Sequence, residues 1–188
     1  MSLAIALLAA GGATRFGGGK LEADCAGKPL GRWALDAALA APHERLAVVV
    51  GDQAPKFAGG SELLFNDRAV EGLGTSVAVA ARWASGSGAL LIVLADMPLV
   101  SVETLRKLGA GEGPTAVAYP GNRPGAPACF PAALFPALER LAGDSGAAQM
   151  LRGLPGVTLV EAPPGELRDV DRTEDLVEVA LILSSLRA

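Results

Sequence analysis

Six short apolar runs, at residues 4–9, 46–50, 63–65, 90–95, 116–119 and 157–160, are continuous rather than alternating. A strand wetted on one face alternates apolar with polar residues. A continuous run is the mark of a parallel strand covered on both faces. Helical patterns fall between the runs, at 30–40, 76–84, 102–108, 132–141, 147–151 and 174–186. Strands that alternate with helices predict an α/β three-layer sandwich, a mostly parallel mixed sheet with right-handed crossovers. The glycine- and proline-rich piece "YPGNRPGAPACFP" reads as a hairpin or crossing loop whose flanks form a late antiparallel pair. With no repeat and no low-complexity linker, residues 1–188 read as a single domain.

Half of the residues are apolar and 19% are charged, ample for a core and wrong for disorder. A net charge of -4 indicates no surface for nucleic acid. No apolar run approaches the roughly 18–20 residues of a membrane span. The apolar start "SLAIALLAA" lacks a preceding Lys or Arg, so it reads as a buried first strand and not as a secretory signal. Cys25 and Cys129, without C-x-x-C spacing, imply reduced thiols in a cytoplasmic protein. The single histidine, His43, excludes multi-histidine metal sites and reads as a solvated surface residue.

In an open α/β sheet, ligands bind beyond the carboxyl ends of the strands. Three polar loops follow such ends. The first, after residues 4–9, crowds five glycines between Leu7 and Asp24 together with Arg15 and Lys20. It is not a Walker loop, because Thr14 stands where the leading glycine belongs and Leu21 follows the lysine. Nor is it a dinucleotide fingerprint, since Ala13 replaces the second glycine. The second is "NDRAVEGLGTS", and the third is "LADMP", with Asp96 closing an apolar strand. Successive backbone amides in a glycine-rich turn make an anion-binding nest, and Arg15 and Lys20 add full charge. Asp96 suits Mg²⁺, which takes one or two carboxylates plus phosphate oxygens and water. Taken singly, the glycines serve equally well as turn-formers, and Asp96 as the start of a turn. Convergence of all three loops on one edge favours a polyphosphate site with a metal.

These residues resemble a family. "LAAGGATRFGGGK" is similar to the signature LAAG-x-x-x-R-x-G-x-x-K of nucleotidyltransferases of the molybdopterin cytidylyltransferase and guanylyltransferase type. "NDRAVEGLGTSVAVA" resembles their N-x-x-x-x-x-G-x-G-x-S block, and "VLADMPLV" their metal-binding strand end. "GDSGAAQML" and "LRDVDRTEDL" look like two late motifs of the same family. The resemblance implies a Rossmann-like nucleotidyltransferase fold. It also implies CMP transfer from CTP to the terminal phosphate of molybdopterin, with release of pyrophosphate and with Mg²⁺ as cofactor. By resemblance, Leu8, Ala9, Ala10 and Gly11 face base and ribose, and Asn66, Asp67, Gly74 and Ser76 belong to the nucleotide site. Arg15, Lys20 and Asp96 then carry the chemistry, while Asp96 and Asp171 (or Asp169) hold the metal. A molybdoenzyme receiving the product is an implied partner.

Two departures bear on specificity. The cytidylyltransferase members usually carry Arg-Gly-His-Pro where this chain has Ala126 between Gly125 and Pro127, so the contact of that histidine is absent. Ala80-Ala81 stand where a glycine is usual. Guanylyltransferases usually show LAGG, so Ala10 resembles the cytidine branch and favours CTP over GTP. GTP-dependent transfer, or cytidylyl transfer to another phosphorylated acceptor, stands as the alternative. A non-catalytic carrier that binds or inserts the molybdenum cofactor is an alternative of another class. Ser76 also reads as a plain helix cap, and Asp171, three residues before Glu174, as part of a capping box.

Overall fold

The computed structural model describes residues 2–11, 16, 18–143 and 147–186. Each apolar run becomes a strand, displaced from expectation by no more than one residue at either end: β1 (Leu3–Leu8), β4 (Arg45–Val50), β5 (Glu62–Phe65), β6 (Ala89–Leu94), β7 (Thr115–Tyr119) and β9 (Thr158–Val160). Both faces of the central strands β1, β4 and β6 are dry, while the edge strands β5 and β9 are partly exposed. Ile5, Leu7, Val48, Val50, Leu91 and Val93 point to one core with Ala34, Leu35, Leu105 and Leu108. Ala4, Ala6, Leu8, Val49, Leu90 and Ile92 point to the other, with Val77, Ala81, Leu138 and Leu151. The three layers follow. Helices α1 (Leu30–Ala40) and α3 (Val102–Gly109) cover the first face, and α2 (Leu73–Trp83), α4 (Phe135–Leu138) and α5 (Ala147–Gly153) the second.

The seven strands run in the order β5-β4-β1-β6-β8-β7-β9, where β8 is Arg123–Pro131. Only β8 is antiparallel to its neighbours. The chain leaves β1 in one direction to β4 and β5, then returns to its other side as β6. The strand order therefore reverses between β1 and β6, the place where an open sheet leaves a crevice beyond its strand ends.

The expected hairpin is present, with Gly121 and Asn122 at φ 77° and 55° turning β7 into β8. What the sequence conceals is that β8 is a long strand inside the sheet. Prolines at 124, 127 and 131 argue against that position, because proline donates nothing to the ladder. A bulge resolves the conflict at Pro127, since Ala116 faces Ala128 while Val117 faces Gly125, and Pro124 and Pro131 sit near the two ends of the strand. Helix 132–141 is also corrected. The chain forms a 3-10 turn at Ala132–Leu134 and then the short α4, because Pro136 has no N–H to return to Ala132.

A small hairpin, β2 (Asp24–Cys25) and β3 (Lys28–Pro29), links the first loop to α1. It packs with α6 (Thr173–Ser185) around Cys25, Leu30, Val170, Val179 and Leu183. Both cysteines are free and buried, and burial pushes the Cys129 thiol up to about 12. His43 lies at the surface, half-buried between exposed Pro42 and Glu44, with its Nδ1 2.8 Å from the Ala41 carbonyl oxygen. Among the described residues no helix is long and apolar enough to cross a membrane.

Candidate active site

Beyond the reversal point lies a cleft of about 520 Å³. Leu8 to Gly11 line one side as β1 ends, Gly72, Leu73 and Ser76 another, with Lys20 and Asp96 at one part of the wall. The register explains why Asp96 arrives there. Leu8 pairs with Leu94, and the Ala95 N–H donates to the Leu8 carbonyl at 3.0 Å, so both chains leave the sheet together.

Lys20 reaches the same place from the glycine-rich loop. Gly18 and Gly19 hold φ of 97° and 65°, which deliver the chain into a 3-10 turn over Lys20–Glu22. An exposed loop end is the expectation for this lysine, yet it is only 9% exposed. Its Nζ lies 2.8 Å from Asp96 Oδ2 and 3.6 Å from Asp171 Oδ1. The segment carrying Asp171 is tied to the strand end, since the Val170 N–H donates to the Asp96 carbonyl at 3.0 Å. Val170 itself is fully buried, which anchors the two flanking aspartates.

Among the described residues, three carboxylates, Asp96, Asp169 and Asp171, share this corner with the one ammonium of Lys20. Burial, with the nearby charges of Asp171 and Asp96, holds the Asp169 carboxyl above its ordinary range, against partial relief from a backbone N–H and Lys20. Burial, then Asp169 and Asp96, likewise raises the Tyr119 phenol, whose hydroxyl donates to the Ala126 carbonyl at 2.9 Å. Tyr119 is a neighbour that sequence reasoning missed, because a tyrosine ending a strand carries no signal of its own.

The remaining expected residues separate into two groups. Leu8, Ala9, Ala10, Gly11, Lys20, Ser76 and Asp96 share the cleft. Arg15 lies outside the described residues. Asp67 is exposed and does not line the cleft. Asn66 is buried below it, and its amide bonds the Thr75 and Ser76 hydroxyls. Ser76 is no helix cap: α2 begins at Leu73 with Gly72 as its cap residue at φ 124°. Nor does Glu174 form the capping box with Asp171. Asp175 accepts the N–H groups of Asp171 and Arg172 at 3.0 and 2.8 Å, and the Asp171 carboxylate faces Lys20.

Gly74 has a packing role. A Cβ there would stand 2.9 Å from the backbone N and O of Ala142, and the Gly74 N–H donates to the Gly143 carbonyl at 2.9 Å. Backbone atoms cannot rotate aside. Gly74→Ala is therefore expected to destabilise the protein by about 1–3 kcal/mol, read from urea unfolding. An unchanged midpoint would remove close packing as the reason for this glycine.

Comparison with known proteins identifies the fold and family. The model of the MobA-like NTP transferase domain matches residues 5–159. The chain belongs to this family. As a MobA-like protein it is an enzyme of the nucleotidyltransferase superfamily, related to the molybdopterin nucleotidyltransferases. It is 32% identical over 188 residues to the purine catabolism protein PucB of Bacillus subtilis, covering 89% of this chain and 91% of that one. It is 35% identical over 121 residues to a molybdenum cofactor guanylyltransferase of Cereibacter sphaeroides, covering 62% of each. The bifunctional protein GlmU of Geobacter metallireducens is 37% identical over 124 residues, but the match spans only 26% of GlmU.

Solved structures agree in fold along nearly the whole chain. A Mycobacterium sp. strain JC1 homolog of the Mycobacterium tuberculosis protein Rv0371c superposes with a TM-score of 0.85 at 23% identity, over 98% of both chains. A nucleotidyl transferase from Methanothermobacter gives 0.83 at 24% identity, over 99% of this chain and 98% of that one. Rv0371c itself, solved in complex with manganese, gives 0.77 at 22% identity, over 96% and 99%. The Rossmann-like, mostly parallel mixed sheet flanked by helices is thus a nucleotidyltransferase fold.

Proposed function

We propose that residues 1–188 form one transferase domain that moves a nucleoside monophosphate from a triphosphate onto the phosphate of a small acceptor. An acceptor phosphate oxygen attacks the α-phosphorus, the bond to the β-phosphate oxygen breaks, and pyrophosphate leaves. Such transfers depend mainly on positioning and on stabilising charge spread over phosphate oxygens. The observation that carries this reading is the Lys20 ammonium held between Asp96 and Asp171 at a cleft walled by the end of β1.

That ammonium also tests the fit of a divalent cation. A positive group already sits at the focus of two carboxylates, with a third, Asp169, close enough to feel their charge. Among the described residues no group of three or more His, Cys, Asp or Glu forms a closed metal cage. Mg²⁺ needs none, because it binds through one or two carboxylates plus phosphate oxygens and water. Asp96 and Asp171 are the residues that would hold it, and the manganese complex of Rv0371c supports a divalent ion. When bound, the ion neutralises phosphate charge. Lys20, with Arg15, neutralises charge on the triphosphate and the leaving pyrophosphate. Leu8 to Gly11 present backbone to base and ribose. No general base is required when the acceptor is an ionised phosphate.

Ala10 favours CTP as donor, and the family resemblance favours molybdopterin as acceptor. The relatives give more support to GTP with a molybdopterin-type acceptor, or to a cytidylyl transfer onto another phosphorylated acceptor, since the Cereibacter relative is named a guanylyltransferase. A molybdoenzyme of purine oxidation is a recipient in keeping with the name of the Bacillus relative. A simple carrier would need neither the carboxylate pair nor its lysine. The deciding experiment supplies Mg²⁺, molybdopterin and each of the four nucleoside triphosphates, and measures pyrophosphate. Release with GTP or with CTP alone identifies the donor. Binding of triphosphate and acceptor without pyrophosphate overturns the transferase reading.

A further inference from the structure

Asn66 ends β5 and is 2% exposed, yet it does not line the cleft. Its orientation is fixed by chemistry. The backbone N–H of Arg68 can only donate, and it lies 3.1 Å from Asn66 Oδ1, so that atom is the amide oxygen. The amide nitrogen then faces Thr75 Oγ1 and Ser76 Oγ, both at 2.9 Å, and gives one hydrogen to each.

The two hydroxyls spend their own protons differently. The single proton of Thr75 has two carbonyls within reach, those of Gly72 and Arg68 at 2.9 and 3.0 Å, and is spent within the protein. Ser76 accepts from Asn66, but among the described residues no acceptor receives its proton. A helical serine commonly gives that proton to the carbonyl four residues back, as Ser184 does to Ala180 at 2.7 Å. At Ser76 the equivalent carbonyl, Gly72, is taken by Thr75. Ser76 is 4% exposed, and it lines the cleft.

We infer that Asn66 acts as a positioning residue that makes Ser76 a hydrogen-bond donor into the cleft, selecting an acceptor atom on the nucleoside part of the substrate. This rests on the nucleotidyltransferase reading and deepens it. Asn66 touches no substrate; it occupies a lone pair of Ser76 and so points the remaining proton outward. Two acceptor sources share this chemistry, a keto oxygen or ring nitrogen of the base and a hydroxyl oxygen of the ribose. An acceptor atom at that place receives the Ser76 proton, whereas an amino group could use only the second lone pair and would leave that proton unpaired, which is how the arrangement discriminates.

The test measures binding of Mg²⁺ with CTP and with GTP by calorimetry, alongside steady-state turnover. Ser76→Ala is expected to weaken binding of the preferred nucleotide roughly three- to tenfold, the range of one ordinary hydrogen bond. KM should rise while kcat holds, since the bond is present in ground and transition states alike. Asn66→Asp replaces the donating nitrogen by an accepting oxygen, which turns the Ser76 proton inward, and should match the loss in Ser76→Ala. The double variant should bind no more weakly than either single one. The 2′- and 3′-deoxy nucleotides separate the sources: if ribose supplies the acceptor, one of them shows no further loss with Ser76→Ala; if the base does, both lose as much as the parent. Additive losses in the double variant overturn the positioning role. If Asn66→Asp does not fold, wild-type affinity in Ser76→Ala overturns the inference unaided. A wild-type protein that binds no nucleotide overturns the transferase reading along with it, whereas wild-type binding with an indifferent Ser76→Ala overturns this inference alone.

Discussion

Asp96→Asn should lose most of its turnover, about a hundredfold or more, while keeping its fold. The substitution preserves size and leaves the Asp96 backbone carbonyl to receive the Val170 N–H, so the link between the strand end and the segment before α6 survives. An asparagine oxygen can still accept from Lys20. What disappears is a full negative charge close to Asp169 and Asp171, a charge that adds to burial in holding the Asp169 carboxyl above its ordinary range. Two effects on stability therefore oppose each other: Lys20 loses its nearer ionic partner, and crowding among the aspartates is relieved. Sites arranged for function often gain stability when such crowding is removed. The melting temperature should move little, and Mg²⁺-dependent binding of triphosphate should weaken. Turnover near wild type would remove Asp96 from the chemistry, and an unfolded variant would make it a structural residue instead.

Most of the sheet is legible because its strands are apolar on both faces, a pattern that needs no tertiary information. Strand β8 fails that test for a physical reason. Its three prolines read as loop, and only pairing with β6 and β7, together with the bulge, makes them admissible. The β2–β3 hairpin is too short, at two residues a strand, to produce any periodic signal. At the site, strand ends and glycines indicate which loops meet, since topology brings the carboxyl ends of the parallel strands to one edge. Which polar atoms meet is less legible. Asn66 carries the look of a ligand contact, but its amide is consumed by Arg68, Thr75 and Ser76. Asp171 and Asp175 both have capping chemistry, and only the placed helix start shows that Asp175 performs it. Lysine is almost never buried unless paired, so the burial of Lys20 becomes readable only once its carboxylates are in place.

That burial changes what Lys20→Ala should do. For an exposed loop lysine, loss of the side chain shifts stability by within about ±0.5 kcal/mol. Here the ammonium is nine-tenths buried against Asp96 and Asp171, and its removal leaves partly buried carboxylates facing one another. A cost on the order of 1–3 kcal/mol is expected for the orphaned groups. Turnover should fall further than that, by roughly 10²–10³, if the lysine meets charge that develops on the leaving pyrophosphate. Arginine should restore activity only in part, because a planar fork does not replace a point charge on a short reach. Divalent cation then separates the two roles. Added Mg²⁺ or Mn²⁺ should raise the melting temperature of Lys20→Ala more than that of wild type, since a cation bound by the aspartates stabilises the folded state and no longer competes with an ammonium. It should not restore turnover, because the charge on the departing phosphate would still lack its lysine. Wild-type rates in both variants would reduce Lys20 to a structural counter-ion of the aspartates. Equal metal-induced shifts in wild type and Lys20→Ala would show that the ammonium and the cation do not share a site.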